Sequence, residues 1–178
     1  MQSTLEQIQT DITGRLTAEL FAWGVTVRNR FELVIEPDVE AMEIVTTMTN
    51  GKSGAGCIVE APSFSASAPN IPGPQGRIDV VITVQEAPEI NRNAATGTMM
   101  SAATISKHVA ELLHLYGMAS VGTLIGGSVR QAAMSDNTTT YKVAMAMAHS
   151  FDVLTKTAMP TITSTNGSVT ITASEGTA

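Results

Sequence analysis

Apolar and polar residues interleave with a period of two between Arg77 and Gln85, where Ile78, Val80, Ile82 and Val84 alternate with Arg77, Asp79, Thr83 and Gln85. Successive strand side chains point to opposite faces, so this pattern predicts a β-strand with one face meant for a core. A rigid turn, Ile71-Pro72-Gly73-Pro74, precedes it, and Glu86-Ala87-Pro88 ends it, because proline cannot donate to a ladder. After a polar loop from Glu89 to Gly97 the period changes. Ile105, Val109, Leu112, Leu113 and Tyr116 recur at three- and four-residue spacing, which predicts an amphipathic helix over Ala102–Tyr116. Gly117 stands where a glycine in the left-handed conformation would stop it. This strand, loop and helix form the nucleus that the other segments must join.

Upstream, Ser3-Thr4-Leu5-Glu6 has the spacing of a capping box, and Leu5, Ile8, Ile12, Leu16 and Leu20 then line one helical face up to Trp23-Gly24. A strand is expected from Val25, with Val27, Phe31 and Leu33 inward. Glu36-Pro37-Asp38 opens a second predicted helix that ends near Asn50, with proline in the first turn and acids at the positive dipole end. Cys57-Ile58-Val59 is a short strand, and Ala61 to Pro74 is a Pro/Ser/Ala-rich loop. Downstream, Val121 to Met134 predicts a strand bent around Gly126-Gly127. From Tyr141 to Val153 large residues hold the odd positions and small or polar ones the even positions. The large face belongs against the helices, and the alanine face leaves room for another surface. Thr161 to Thr172 reads as a hairpin around Asn166-Gly167, the pair favoured in a two-residue turn.

The whole is an α+β fold: a mixed, mainly antiparallel sheet with helices packed on one face, plus a C-terminal β-hairpin. Residues 1–158 make the domain and 159–178 the hairpin extension, with Met159-Pro160 at the boundary. A length of 178 residues is enough for one such domain with a sizeable core. The net charge of −6 argues against duplex nucleic acid as the main partner, since affinity there rests on neutralising phosphates. No apolar run approaches the ~20 residues of a membrane helix, and the N-terminus lacks a signal-peptide pattern, so no membrane is expected and the chain is read as made and kept in a cytoplasm. The single cysteine excludes an intrachain disulfide and a cysteine-based zinc site. Aromatics are scarce and methionine frequent, so the core packs with small or flexible side chains.

Candidate chemistry is sparse. Asn50-Gly51-Lys52-Ser53 invites a phosphate-loop reading, but Thr46 stands where the motif needs glycine, and a flexible turn explains the stretch. His108, Glu111 and His114 share the central helix, but spacings of three and six do not put both histidines on one side as a zinc site needs. His149 falls on the apolar face of its strand, where a core or interface histidine is the ordinary reading. Cys57 lies among apolar residues, as an inert buried thiol does. The expectation is no enzyme, no cofactor and no metal. The long loops Ala61–Gln75 and Glu86–Gly97 are the candidates for contact between subunits, from their length and proline content. The residues singled out are Pro69, Asn70, Pro72, Gly73 and Pro74 in the first, and Glu89, Asn91, Arg92 and Asn93 in the second. Glu32, Glu36, Asp38, Glu40 and Glu43 form an acid run with no lysine or arginine inside it. It is either a solvated face or a surface that repels DNA phosphate without holding it.

The order of these signals resembles the tail-terminator or tail-completion proteins of tailed bacteriophages. The starting helix, the Pro-Gly-Pro turn, the Arg77–Val84 strand, the acid-Pro-Glu-Ile-Asn loop of Glu86 to Asn91, the Ala102–Tyr116 helix and a long last strand ending near Phe151-Asp152-Val153 carry it, over roughly residues 1–155. The tail from Met159 departs from the small members and looks like the opening of an Ig-like or chitobiase-type β module. The resemblance implies a structural virion protein, assembled in the host cytoplasm into a homo-oligomeric ring, hexameric by analogy. That ring would end the tail tube and join it to the head–neck connector. Its partners would be its own copies, the tail tube protein and the head–tail connector protein, with DNA only as passing cargo and the acid run lining the lumen. The alternatives are another neck or tail-tube component, or a small cytoplasmic binding domain or enzyme using His108 and Glu111.

Overall fold

The computed structural model describes residues 4–29, 54–66, 75–93, 95, 97–118, 121–134, 137–150, 161–165 and 168–172. Helix α1 spans Thr4–Leu20 and continues into a 3-10 turn, Phe21–Trp23, closed where the Gly24 amide donates to the Phe21 carbonyl at 3.0 Å. Strands β1 (Thr26–Asn29), β2 (Ala55–Val59), β3 (Ser63–Ala66) and β4 (Gln75–Glu86) follow. A short helix α2 (Pro88–Asn91) and helix α3 (Ala102–Leu113) come next. Then come β5 (Gly117–Met118), β6 (Gly122–Thr123), β7 (Ile125–Met134), β8 (Thr139–Ser150), β9 (Thr161–Thr165) and β10 (Ser168–Thr172). Six strands form one sheet in the order β1-β2-β4-β8-β7, with β3 also on β4. Among the described strands β1 and β2 run parallel and the other pairs are antiparallel, so the expected mixed, mainly antiparallel sheet is present.

The two strongest sequence periods meet at the centre of the sheet. Strands β4 and β8 pair over twelve residues, from Gln75 opposite Ser150 to Glu86 opposite Thr139. This register puts Ile78, Val80, Ile82 and Val84 on the same face as Val143, Met145 and Met147, and all seven are buried. Ala55, Cys57 and Val59 extend the face into β2. Ile8, Ile12, Leu16 and Leu20 of α1 and Ile105, Val109 and Leu113 of α3 close over it, so both helices pack on one side. Each such isoleucine or leucine contributes about 1.5–3 kcal/mol by leaving water. Gln9 Nε2 donates to the Val59 carbonyl at 2.9 Å and ties α1 to β2 inside the core.

The exit of β4 is bound to the start of α3 by polar contacts. The buried Glu86 carboxylate accepts from the Ala102 amide in the first turn of α3 and lies 3.8 Å from the Arg92 guanidinium. A carboxylate there meets unpaired helix amides and the positive end of the dipole. The Ser101 side chain caps the same helix by accepting from Thr104 N at 3.2 Å. Between them Asn91, only 1% exposed, donates from Nδ2 to the Met100 carbonyl at 2.6 Å. Its Oδ1 accepts from the Thr98 amide at 3.1 Å and from the Thr98 hydroxyl.

Several expectations are corrected. Helix α3 ends at Leu113 rather than Tyr116, and the left-handed residue after it is Leu115, with φ 61°, not Gly117. The cause is tertiary. The Leu115 amide donates to Leu124 O at 2.9 Å and the Leu124 amide to Tyr116 O at 3.0 Å, which turns the chain before glycine is reached. The loop expected from Ala61 contains strand β3, paired with β4 from Ser63 opposite Asp79 to Ala66 opposite Gly76. The capping residue Ser3, the predicted second helix, and residues Phe31 and Leu33 lie outside the described residues. The hairpin pairs as expected, with Thr165 opposite Ser168 across a two-residue connection.

Cys57 is fully buried, and burial pushes its thiol from 9.0 up to about 12. The folded state therefore holds the proton longer than the unfolded state. The stability this contributes is complete below pH 9.0 and is lost as pH rises from there toward about 12, by at most ~1.4 kcal/mol per pH unit. Denaturant unfolding at pH 8 and pH 10 should show the loss, and a Cys57→Ala variant should lack that share of it. Equal slopes in the two proteins would contradict the burial.

Candidate assembly surface

Strand β7 forms one edge of the sheet. It pairs with β8 on one side, and no strand among the described residues pairs with its other side. Nine of its ten residues are exposed, including Ile125 at 58% and Met134 at 74%. Two register irregularities shape it, between Ile125 and Ser128 and between Gln131 and Ala133. The first falls on Gly126-Gly127, where sequence places the bend, and a Cβ at Gly127 would run into the Ala144 carbonyl. An edge strand offers a row of amides and carbonyls that another chain can pair with, and short, charged or twisted edges normally block it. Here the edge is long and carries a single charge, Arg130.

The sheet face away from α1 and α3 adjoins this edge. Close to β2 it is buried, at Ile58, Thr83, Gln85 and Thr140. Toward β7 it opens into a depression of about 380 Å³ lined by Gly76, Arg77, Ile125, Gly126, Ala146 and Ala148 with Met147. Arg77 Nε donates to Asp79 Oδ1 at 2.7 Å beside it, an exposed pair that adds little stability. The alanine positions of β8 are half-buried or exposed, so the small-residue face is accessible as expected.

The residues singled out in sequence divide three ways. Pro69, Asn70, Pro72, Gly73 and Pro74, and the acids Glu32, Glu36, Asp38, Glu40 and Glu43, lie outside the described residues. Glu89, Arg92 and Asn93 are exposed at the end of the sheet where β4 leaves it. Asn91 differs from these in burial. Its side chain turns inward and binds the loop's own backbone. Sequence reasoning does not reach the β7 edge, because whether a strand has a neighbour depends on the whole sheet.

The histidine and acid positions of the rival reading do not build a pocket with the depression. His108 stacks on Trp23, with ring centroids 4.3 Å apart and planes at 29°. Glu111 pairs with Lys107 at 2.9 Å, and that hydrogen bond and charge hold its carboxyl below the usual range. His114 is exposed and lies against Gly126 instead. No group of three or more metal-ligating side chains occurs among the described residues, and none of the described helices is long and apolar enough to cross a membrane.

No family model matches the chain, and no curated protein matches it. Among solved structures it is similar to a chain of the virion of a native gene transfer agent particle. The two are 14% identical with a TM-score of 0.49, and the match covers 84% of this chain and 100% of that one.

Proposed function

We propose that the chain is a structural virion protein, one copy of a homo-oligomeric ring at the neck or the end of a tail tube. The exposed edge strand β7 is the observation that carries this reading. A sheet edge with Ile125, Val129 and Met134 at 58%, 40% and 74% exposure is an aggregation hazard in a free monomer and a contact surface in an assembly. When such a patch meets a different patch on the next copy, contact is head-to-tail, and head-to-tail contacts close rings when the rotation allows. The sequence resemblance to tail-terminator proteins agrees in element order and supplies the hexamer, the tail tube and connector partners, and DNA as cargo. The protein's work is then mechanical: it holds two larger structures in register around a channel, without catalysis.

Peptide quantification in purified particles, with gold-labelled antibody against the chain, tests this. The expected outcome is a small fixed copy number per particle and label at the neck or one end of the tail. Label absent from particles, with the chain left in the soluble fraction, would overturn the proposal and favour the binding-domain or enzyme reading.

A further inference from the structure

Strands β9 and β10 form a two-stranded sheet, joined to no other strand among the described residues. Five residues a side, in Thr161–Thr165 and Ser168–Thr172, is little for a free hairpin, because an isolated pair of strands is marginal in water. Among the described residues the hairpin has no third strand, and β7 has no neighbour on its outer side. We propose that the C-terminal hairpin of one copy adds to the β7 edge of the next copy and so forms the seam between subunits. The proposal rests on the ring reading above and names the contact that builds the ring.

Charge selects this occupant over a second β7. Arg130, the one charge on the edge, stands opposite Lys142 of β8 in the register, so a second cation already lies beside it. Pairing β7 with its own counterpart about Arg130 would bring a second arginine against it, and like charges at cross-strand positions are unfavourable. Residues 161–172 contain no charged side chain. Their Thr, Ile and Val content suits a strand whose backbone supplies the pairing while alternate side chains fill shallow sites. The depression at Ile125, Ala146 and Ala148 lies at the end of β7 where such side chains would enter.

Reach is sufficient. Ser150 pairs with Gln75 at the end of β8, four residues beyond the Ala146 that faces Ile125. Ten residues, 151–160, separate Ser150 from Thr161. At ~3.3–3.6 Å per residue they span up to about 35 Å, against ~4.8 Å between neighbouring strands. A single chain therefore has the length to cover its own edge, yet its hairpin and β7 stand in separate sheets. In an assembly each copy satisfies the next.

Cross-linking in the full chain tests the seam, because buried Cys57 leaves introduced thiols as the reactive ones. Gln131→Cys and Thr163→Cys are made in separate proteins, mixed at concentrations where the wild type self-associates, and treated with a short bis-maleimide. The expected product has twice the chain mass and joins one peptide from each variant. Adding Ile125→Lys to the Gln131→Cys chain should remove it. In a chain that carries both Gln131→Cys and Thr163→Cys, a link that forms only within that chain would overturn the proposal, with the hairpin folded onto its own edge. So would a product from Gln131→Cys alone, which would mean that β7 pairs with β7. Self-association with no link at 131–163 sinks the seam and leaves the ring standing; failure to self-associate, with no label on particles, removes both.

Discussion

Gly54→Ala is expected to lower the thermal midpoint by about 5 °C or more, although it adds one methyl group. Gly54 has φ 74°, a conformation that costs an L-residue about 1–2 kcal/mol. A Cβ there would stand 2.5 Å from the Asn91 nitrogen and 2.9 Å from its Cα and from the Ile90 carbonyl carbon, all backbone atoms. Backbone cannot swing aside as a flexible side chain can, so overpacking adds roughly 1–3 kcal/mol. The sum, about 2–5 kcal/mol, is a large part of the 5–15 kcal/mol that holds a domain together. The strain is also placed badly. It pushes on Asn91, whose side chain joins α2 to the segment before α3 through Met100 and Thr98. Gly14→Ala is the control: its Cβ meets nothing within 4 Å on the exposed side of α1, so it should gain about 0.5–1 kcal/mol. Calorimetry of the two variants beside the wild type decides it; equal midpoints for Gly54→Ala and Gly14→Ala would contradict the close approach.

The same region shows what sequence could and could not carry. Ile78 to Val84 and Val143 to Met147 were legible because burial on one face writes a period of two directly into the residues. Ile8 to Leu20 was legible for the matching helical reason. Asn91 was not, since a polar residue in a Pro-Glu-Ile-Asn loop reads the same whether it faces water or caps carbonyls inside. Leu115 was hidden because its left-handed turn is imposed by Leu124, nine residues away, against its own preference. Strand β3 was obscured by its Ser-Phe-Ser-Ala composition; it exists because Phe64 crosses Gly76 of β4, where any side chain would collide with the ring. The β7 edge is the clearest case. Having a neighbour or not is a property of the whole sheet, and no local pattern records it.

Ile125→Lys together with Met134→Lys is expected to abolish self-association while leaving the fold intact. Both side chains are mostly in water, at 58% and 74% exposure, so stability should stay within about 0.5 kcal/mol of the wild type. At an assembled seam the same side chains leave water, and a lysine must either be desolvated or hold the partner off. Lysine on an exposed edge is a common natural block to strand addition. A loss of about 1.4 kcal/mol at each site weakens each contact roughly a hundredfold in all. Because a closed ring repeats the contact in every copy, the penalty compounds. Sedimentation of the double variant, with its unfolding curve recorded alongside, separates this effect from misfolding. Wild-type association by the double variant would show that β7 is not part of the seam.

Image averaging of the assembled particle is the most direct test that the chain works as a ring component. The expected density is a closed ring of identical copies around an axial channel, with β7 of each copy against the next. Single copies with β7 facing solvent, or a ring whose contacts all avoid β7, would contradict it.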